Sequence, residues 1–313
     1  MNAIILPNYG PAENLRFQEI TTPVPAATDV LVRVKASGVN KLDILKASGA
    51  MQAVFPLPLP WIPGIDFAGV IEAVGEQVQG FTVGDEVYGA SLFGGANAEY
   101  MTINPQFMAK KPRSLTFVEA ASVPVAAQTA WQVVFQDAQL KSGQTILIHG
   151  GAGAVGSYAI QLAHQAGATV IVTAAADSEE YVKTLGADVF IDYKKELFES
   201  VVDQVDAVID LVGGEVQQRS YGLVKAGGYL VSTTQPVSDE LAAKHNIHAT
   251  FAQLQPSQQG LAQIATQLDK GQLRINLGEV FSLSQAADAW HTVLGNPGTS
   301  TPKKNGRIVL DHA

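Results

Sequence analysis

The sequence predicts an α/β protein of about two domains, one of them built on a doubly wound parallel sheet. Its 313 residues are long for a single domain. Up to about residue 115, proline and glycine punctuate short strands such as DVLVRVKA. From about 116 to 270, strands such as VDAVIDLV alternate with helical stretches, which is typical of parallel strands joined by helices. Shorter mixed elements follow, with a polar loop at Gly295–Gly306 before the last strand, GRIVL.

The stretch HGGAGAVGS, residues 149–157, predicts a turn that approaches a phosphate. The run TILIH before it is typical of a buried parallel strand, and YAIQLAHQAG after it predicts a helix. Gly151, Gly153 and Gly156 form a G-x-G-x-x-G pattern, in which the first glycine allows the tight turn, the second the approach of a pyrophosphate and the third close helix packing. The helix N-terminus adds unpaired donors and partial positive charge. The alternative is a tight strand-to-helix turn without a ligand.

Composition argues against several classes of protein. The formal net charge is −9 and no basic run is present, which argues against a nucleic-acid partner. The absence of cysteine excludes disulfides and thiolate-bound zinc. The opening MNAIILPNYG lacks the features of a signal peptide, and no apolar run is long enough to span a bilayer. We therefore expect a cytoplasmic protein with no membrane partner.

The order of these segments resembles the medium-chain dehydrogenase/reductase superfamily, in particular its zinc-free quinone oxidoreductase (zeta-crystallin-like) branch. The resemblance covers nearly the whole chain. It implies a GroES-like β-barrel domain formed by residues 1–115 and 271–313, with a Rossmann dinucleotide-binding domain at 116–270 between them. The segments that carry the resemblance most specifically are SGVNKLD, PGIDFAGVIEAVG, FTVGDEVYG, GGAGAVGSYAIQLA and GRIVL.

The same resemblance implies that no metal is bound. Zinc-dependent members have a cysteine at the position of Asn40 and a His-Glu pair after the Pro-Gly that matches Pro63-Gly64. Here the pair reads Ile65-Asp66. Isoleucine cannot ligate zinc, and an amide oxygen is a poor ligand. We expect Asp66 to accept hydrogen bonds beside a buried strand instead.

The end of the second parallel strand favours NADPH as the cofactor. An NAD-preferring site holds the ribose 2′-OH with an acid at this point, but the strand ends in small uncharged residues, 173–176. Asp177 is a rival candidate, although with Glu180 it also fits a helix N-cap. By resemblance, Ser178 lies near the 2′-phosphate and Tyr193 beside the adenosine phosphate. The basic residue that relatives usually have near Ser178 is absent.

Further candidates follow the strand ends, because open α/β sheets bind ligands at the carboxyl edge of their strands. Together with the glycine turn, these positions define the predicted cofactor site. Its residues are Gly151, Gly153, Ala154, Val155, Gly156, Ser178, Tyr193, Leu211, Val212, Gly213, Ser232 and Thr233.

The resemblance implies two catalytic residues. Asn40 would donate a hydrogen bond to a substrate carbonyl, although it could equally close a turn after a strand, and Asp43 could position it or begin a helix. Thr129 matches a position beside the nicotinamide, and the alternative is an ordinary helix threonine. Arg307 could reach the cofactor or be a charge at a strand edge. The apolar, proline-rich segment 47–61 matches the mouth of the substrate pocket.

We therefore expect a zinc-independent, NADPH-dependent oxidoreductase that transfers a hydride to a quinone or an α,β-unsaturated carbonyl. The alternatives are an enoyl reductase for acyl chains and a non-catalytic NADPH-binding protein. The segment IHATFAQL, residues 247–254, is expected to be the last strand of the sheet, with few defences against edge pairing. It predicts a homodimer paired through this strand, unless a loop or helix of the same chain covers the edge.

Overall fold

The computed structural model describes residues 1–295 and 306–313, so most of the expected polar loop at Gly295–Gly306 lies outside the described residues. The chain divides into two compact units. The first consists of Met1–Val125 with Pro256–Ala313, and the second of Ala126–Gln255. Within the described ranges, no helix is long and apolar enough to cross a membrane.

The secondary structure is numbered in chain order. The strands are β1 (Asn2–Ile5), β2 (Arg16–Glu19), β3 (Val30–Gly38), β4 (Asp66–Val74), β5 (Glu86–Ala90), β6 (Tyr100–Ile103), β7 (Met108–Lys110), β8 (Thr145–His149), β9 (Thr169–Ala174), β10 (Val189–Asp192), β11 (Val205–Asp210), β12 (Val224–Ser232), β13 (His248–Phe251), β14 (Leu277–Ser282) and β15 (Arg307–Asp311). The α-helices are α1 (Lys41–Ala47), α2 (Phe117–Ala121), α3 (Pro124–Trp131), α4 (Ala154–Gln165), α5 (Glu179–Thr184), α6 (Glu215–Ser220), α7 (Asp239–His245), α8 (Gln258–Asp269) and α9 (Ala286–Leu294).

The first unit contains a seven-stranded sheet with the path β14-β15-β3-β4-β5-β7, and β6 also pairs with β3. The C-terminal strand β15 pairs with β3, so the end of the chain completes the sheet begun by its N-terminal part. Strand β3 alternates buried and half-buried residues and then ends in a fully buried run, Ala36–Gly38. That buried end leads directly to Asn40 and α1.

The second unit contains a six-stranded sheet with the order β10-β9-β8-β11-β12-β13. All of its strand pairs are parallel. Counted within this unit, the order is 3-2-1-4-5-6, the arrangement of dinucleotide-binding folds. The doubly wound parallel sheet predicted from the alternating pattern is confirmed. Its core includes Leu147, Val208 and Leu230, from three neighbouring strands.

The limits of the two units differ from the domain limits predicted at residues 115 and 271. Residues 116–125 and 256–270 belong to the first unit. Helix α2 packs on β3 and β4, and α8 packs on β7. The hydroxyl of Tyr88 on β5 also donates to the carbonyl of Leu261 on α8 at 2.6 Å. Local composition locates such helices but does not reveal which sheet they cover.

Candidate functional site

The carboxyl ends of several strands lie together at one edge of the second unit's sheet. In the ladders, His149 at the end of β8 pairs with Thr173 of β9 and with Asp210 of β11. Asp210 in turn pairs with Ser232 at the end of β12. Because these strands are parallel, the segments that follow them leave the sheet from the same edge. These segments carry most of the predicted cofactor-binding residues, namely Gly151, Gly153, Ala154, Val155, Gly156, Leu211, Val212, Gly213 and Thr233.

The glycine turn begins one residue earlier than predicted. Gly150 has a φ of +71°, which is favourable only for glycine, so it makes the tight turn. The prediction that Gly151 makes this turn was wrong. A Cβ on Gly151 would lie 2.3 Å from Cγ1 of Val172 on β9, so that glycine is required by close packing. The N–H groups of Gly150 and Gly151 both donate to the carbonyl of Thr173, at 3.1 and 3.2 Å, which fixes the turn against the sheet.

The two later glycines differ in their surroundings. A Cβ on Gly156 would lie 2.6 Å from both the carbonyl oxygen of Gly150 and Cα of Gly151, so α4 packs on the turn without room for a side chain. Gly153 is exposed, and its Cβ would meet only the Gly150 oxygen, at 3.2 Å. The N–H groups at the start of α4 have no partner within the helix. The turn therefore presents open backbone donors in front of Gly153, as an anion site requires.

A buried carboxylate organises the loop after β11. Asp210 is fully buried, and its Oδ1 accepts the N–H groups of Val212 at 3.0 Å and Gly213 at 2.8 Å. Its Oδ2 accepts the hydroxyl of Ser232 at 2.9 Å. Ser232, a predicted cofactor-binding residue, is fully buried, so its hydroxyl holds Asp210 in place and is not exposed at the edge of the sheet. Asp210 was not among the predicted site residues, because its sequence position at the end of a strand gives no sign that it organises this loop.

His149 supports the glycine turn as a neutral side chain. Its Nδ1 lies 3.0 Å from the hydroxyl of Thr173, and its Nε2 lies 3.0 Å from that of Ser220. Burial lowers the pKa of His149 to about 4. The imidazole is therefore uncharged at neutral pH and connects β8, β9 and α6.

The end of β9 lies beside Tyr193, whose expected place beside the adenosine phosphate stays a prediction. Asp192 of β10 pairs with Ala174, and the N–H of Tyr193 points to the carbonyl of Ala174 at 3.4 Å. Tyr193 is 58% exposed. The ammonium of the exposed Lys194 lies 5.9 Å from the centre of the Tyr193 ring. Lys194 was not among the predicted site residues, since its only signal in the sequence is its position directly after the tyrosine.

The segment after β9 differs from the predicted helix cap. Helix α5 is preceded by Ser178, and Asp177 lies in a short 3₁₀ turn, Ala176–Ser178. The prediction that Asp177 caps this helix was therefore wrong, because the extra turn moves the helix start by one residue. Ser178 is buried and its hydroxyl donates to Asp177 at 3.2 Å. Lys183 pairs with Glu179 at 2.6 Å on the helix itself.

The first unit holds a second cluster of polar groups around Asn40. The Nδ2 of Asn40 donates to Oδ2 of Asp66 at 3.0 Å, and Nη2 of Arg307 donates to Oδ1 of Asn40 at 2.9 Å. The same Nη2 lies 2.9 Å from Oδ2 of Asp66. Asp66 is fully buried, accepts the N–H of Val125 at 2.9 Å, and so acts as the hydrogen-bond acceptor expected of it. Arg307 is neither a free strand-edge charge nor open toward solvent, because Asn40 and Asp66 engage its guanidinium.

Asp43 and Lys46 lie beside this cluster. The carboxylate of Asp43 accepts the backbone N–H of Asn40 and that of Gly64, each at 3.1 Å, so it both positions Asn40 and begins α1. Burial raises the pKa of Asp43 to about 7 and that of Asp66 to about 6. Burial lowers the pKa of Lys46, whose ammonium donates to the carbonyl of Leu92.

Zinc does not fit the residues at the position that matches the metal site of zinc-dependent members. The guanidinium of Arg307 bridges the two oxygens that could act as ligands, on Asn40 and Asp66. Ile65, which precedes Asp66 in the chain, is fully buried and offers only an apolar side chain. Across residues 1–295 and 306–313, no group of three or more His, Cys, Asp or Glu side chains is arranged to hold a metal ion.

Thr129 lies on α3 in the second unit and is half-buried. The structure places it on a helix, as both of its interpretations required, so its catalytic role stays a prediction.

Comparison with known proteins identifies related sequences for both units. Residues 26–113 match the family described as alcohol dehydrogenase GroES-like domain, and residues 185–297 match the family described as zinc-binding dehydrogenase. The quinone oxidoreductase of Sus scrofa is 30% identical over 327 residues, covering 99% of this chain and 97% of that protein. The structure of the quinone oxidoreductase from Coxiella burnetii is 32% identical, with a TM-score of 0.91, covering 100% of this chain and 99% of that one.

A further relative is the chloroplastic NADPH-dependent alkenal/one oxidoreductase of Arabidopsis thaliana, 36% identical over 250 residues, or 76% of this chain. The match covers 64% of that protein. The chain thus spans less than two thirds of the length of that protein and of the 2-methylene-furan-3-one reductase of Solanum lycopersicum, which is 40% identical over 250 residues.

Proposed function

Because the chain belongs to the quinone oxidoreductase branch of the medium-chain dehydrogenase/reductase superfamily, we propose that it is an oxidoreductase that uses NADPH to reduce a quinone or an α,β-unsaturated carbonyl compound. The observation that carries this proposal is the open glycine turn at the carboxyl edge of a 3-2-1-4-5-6 parallel sheet. Relatives named for quinone and for alkenal/one reduction support the two substrate classes.

The second unit would bind the dinucleotide through its strand ends. The N–H groups of Ala154, Val155 and Gly156, at the start of α4, would hold the pyrophosphate. The loop Leu211–Gly213, fixed by Asp210, and Thr233 would flank the rest of the cofactor. When bound, a reduced nicotinamide supplies the hydride. The chain's own part is to orient that group and exclude water.

Three features support NADPH over NADH. The strand β9 ends at Ala174 and Ala175 follows, whereas Asp177, the rival candidate for holding a 2′-hydroxyl, lies beyond them in the 3₁₀ turn and accepts a hydrogen bond from Ser178. Tyr193, whose backbone N–H lies 3.4 Å from the carbonyl oxygen of Ala174, has an exposed side chain. The ammonium of Lys194 lies 5.9 Å from the centre of that ring, and it is proposed to take the part of the basic residue missing near Ser178. A phosphate gains more from such a cation than a hydroxyl does.

On the substrate side, Asn40 would donate a hydrogen bond to the carbonyl oxygen. Reduction of an enone adds a hydride to the β-carbon and a proton, supplied by solvent, to the α-carbon. Charge builds on the carbonyl oxygen as the hydride arrives, so a fixed donor lowers the barrier. The proposed reaction does not use zinc, because Arg307 occupies the space between the available oxygens. Thr129 is proposed to lie beside the nicotinamide.

We also propose that the protein forms a homodimer through β13. This strand is at the end of the sheet order, and its residues alternate exposed and half-buried. The N–H of Ala252 donates to Ser232 of β12, so by alternation that of Thr250 also faces β12, while those of Ala249 and Phe251 face outward. Pairing with a second β13 about a two-fold axis would satisfy these outward groups.

The activity is tested by following oxidation of NADPH with a panel of quinones, enones and acyl thioesters. We expect turnover with a quinone or an enone, and Asn40→Ala should lower kcat while the Kd for NADPH, measured by calorimetry, stays unchanged. Turnover of acyl thioesters alone would instead support an acyl-chain enoyl reductase. NADPH binding without any turnover would support a non-catalytic NADPH-binding protein.

A further inference from the structure

Three side chains from distant parts of the sequence meet at a single point in the first unit. Asn40, Asp66 and Arg307 form a closed triangle of contacts of 2.9–3.0 Å. Asp66 is fully buried, Asn40 is 5% exposed, and the Arg307 side chain is 12% exposed. A charged pair this deeply buried is costly to desolvate and contributes little to stability by itself. A requirement of the site would explain its presence.

The triangle allows only one orientation of the Asn40 amide. A guanidinium can only donate hydrogen bonds, and an ionised carboxylate can only accept them. The amide oxygen must therefore face Arg307 and the amide nitrogen must face Asp66, as observed. The opposite orientation would set donor against donor and acceptor against acceptor. Since the Nδ2 group has two hydrogens and Asp66 takes one, the second is left with a defined direction.

Sheet register holds the two charged residues in place. Gly38 of β3 pairs both with Asp66 of β4 and with Val309 of β15, and Arg307 is the first residue of β15. The side chains of Asp66 and Arg307 are held further by backbone groups of α3 and of Ser122, the residue after α2. Val125 donates its N–H to Asp66 at 2.9 Å, and Nε of Arg307 donates to the carbonyl of Ser122 at 3.2 Å.

We propose that Asp66 and Arg307 are positioning residues that hold the Asn40 amide with one N–H directed for donation to the substrate carbonyl. This inference rests on the proposed function, in which Asn40 is that donor. Arg307 also polarises the amide, because a hydrogen bond to Oδ1 draws electron density from the nitrogen and strengthens its remaining N–H as a donor. The ion pair thus acts through Asn40 without contacting the substrate.

The test is a double-mutant cycle between Arg307→Lys and Asn40→Ala, with enone reduction as the assay. Lysine keeps the positive charge opposite Asp66, but it lacks the Nε–H that Arg307 donates to Ser122 and the rigid plane that fixes Nη2 between Asn40 and Asp66. Arg307→Lys should lower kcat roughly tenfold to a hundredfold, since small misplacements of a catalytic group have effects of this size. The Kd for NADPH should not change. In the Asn40→Ala background, Arg307→Lys should cause no further loss, because the group through which it acts is gone.

Two further variants keep the result interpretable. Asp66→Asn preserves size and should lower kcat in the same way, also without effect in the Asn40→Ala background. Arg33→Lys is the matched control, because Arg33 pairs with Glu72 at 2.7 Å on the same β3–β4 ladder. It should leave kcat unchanged.

A wild-type kcat in a folded Arg307→Lys or Asp66→Asn variant would overturn the inference, as would losses that add to that of Asn40→Ala. If Arg307→Lys does not fold, Asp66→Asn decides the question by the same cycle. Failure of the proposed function looks different, since wild-type protein that binds NADPH would then reduce neither quinones nor enones.

Discussion

Replacing Gly153 with valine should impair cofactor binding more than folding. Gly156 in the same motif provides the contrast, because it is closely packed against backbone atoms whereas Gly153 is exposed. Gly153 has φ −75° and ψ 177°, a conformation open to any L-residue. Its Cβ would meet only the oxygen of Gly150, at 3.2 Å, and would project where a pyrophosphate must approach the α4 donors. The fold of Gly153→Val should therefore persist while the cofactor is excluded.

The expected magnitude follows from the donors that valine would block. Each hydrogen bond to a charged group contributes about 1.5–3 kcal/mol. Loss of one or its equivalent raises the Kd for NADPH roughly tenfold to a hundredfold. The Gly156→Ala control should behave differently, since its Cβ would lie 2.6 Å from backbone atoms of Gly150 and Gly151. Overpacking of this kind costs about 1–3 kcal/mol of folding free energy.

Calorimetric titration with NADPH and thermal unfolding followed by circular dichroism measure the two effects. We expect Gly153→Val to lose affinity with only a small drop in melting temperature, since Gly153 is the N-cap of α4, and Gly156→Ala to show a larger drop. An unchanged Kd in Gly153→Val would refute the assignment of this turn to the pyrophosphate. If Gly153→Val lost as much stability as Gly156→Ala, the conclusion that the space beside Gly153 is open would be refuted.

Three further predictions concern the cofactor, the metal and the assembly. Lys194→Ala should raise the Kd for NADPH about tenfold but leave the Kd for NADH unchanged. The control is Lys195→Ala, which should change neither Kd, because Lys195 pairs with Asp192 at 3.4 Å. Equal effects of Lys194→Ala on both nucleotides would contradict a contact with the 2′-phosphate. Prolonged chelation should leave activity and melting temperature unaltered, and stoichiometric zinc found by elemental analysis would contradict this. Ala249→Pro should shift the mass measured by light scattering from dimer to monomer, because the N–H of Ala249 faces outward. Thr250→Pro should chiefly lower the stability of the fold, because the N–H of Thr250 faces β12. A wild-type protein that is monomeric at micromolar concentration would exclude the dimer.

The corrections to the sequence-based predictions have a common physical origin. Gly150 makes the turn expected of Gly151, and Ser178 precedes the helix expected to start after Asp177. In both cases the type of element was predicted and its start was displaced by one residue. Motif spacing locates an element, but the backbone conformation at the end of the element depends on the residues packed against it. At the glycine turn this residue is Val172, which leaves no room for a Cβ on Gly151.

Local patterns in the sequence were sufficient to determine the doubly wound parallel sheet, its glycine turn and the position of the strand ends that carry Leu211–Gly213 and Thr233. These features depend on residues close together in the chain, such as a buried strand followed by glycines and an amphipathic helix. Only the tertiary structure decided the surroundings of Asn40. Arg307 is 267 residues from Asn40 and Asp66 is 26 residues from it, and the two meet because β4 and β15 both pair with β3. Contacts set by strand pairing over such distances leave no periodic signal, so the sequence alone presents a lone asparagine, an aspartate and an arginine.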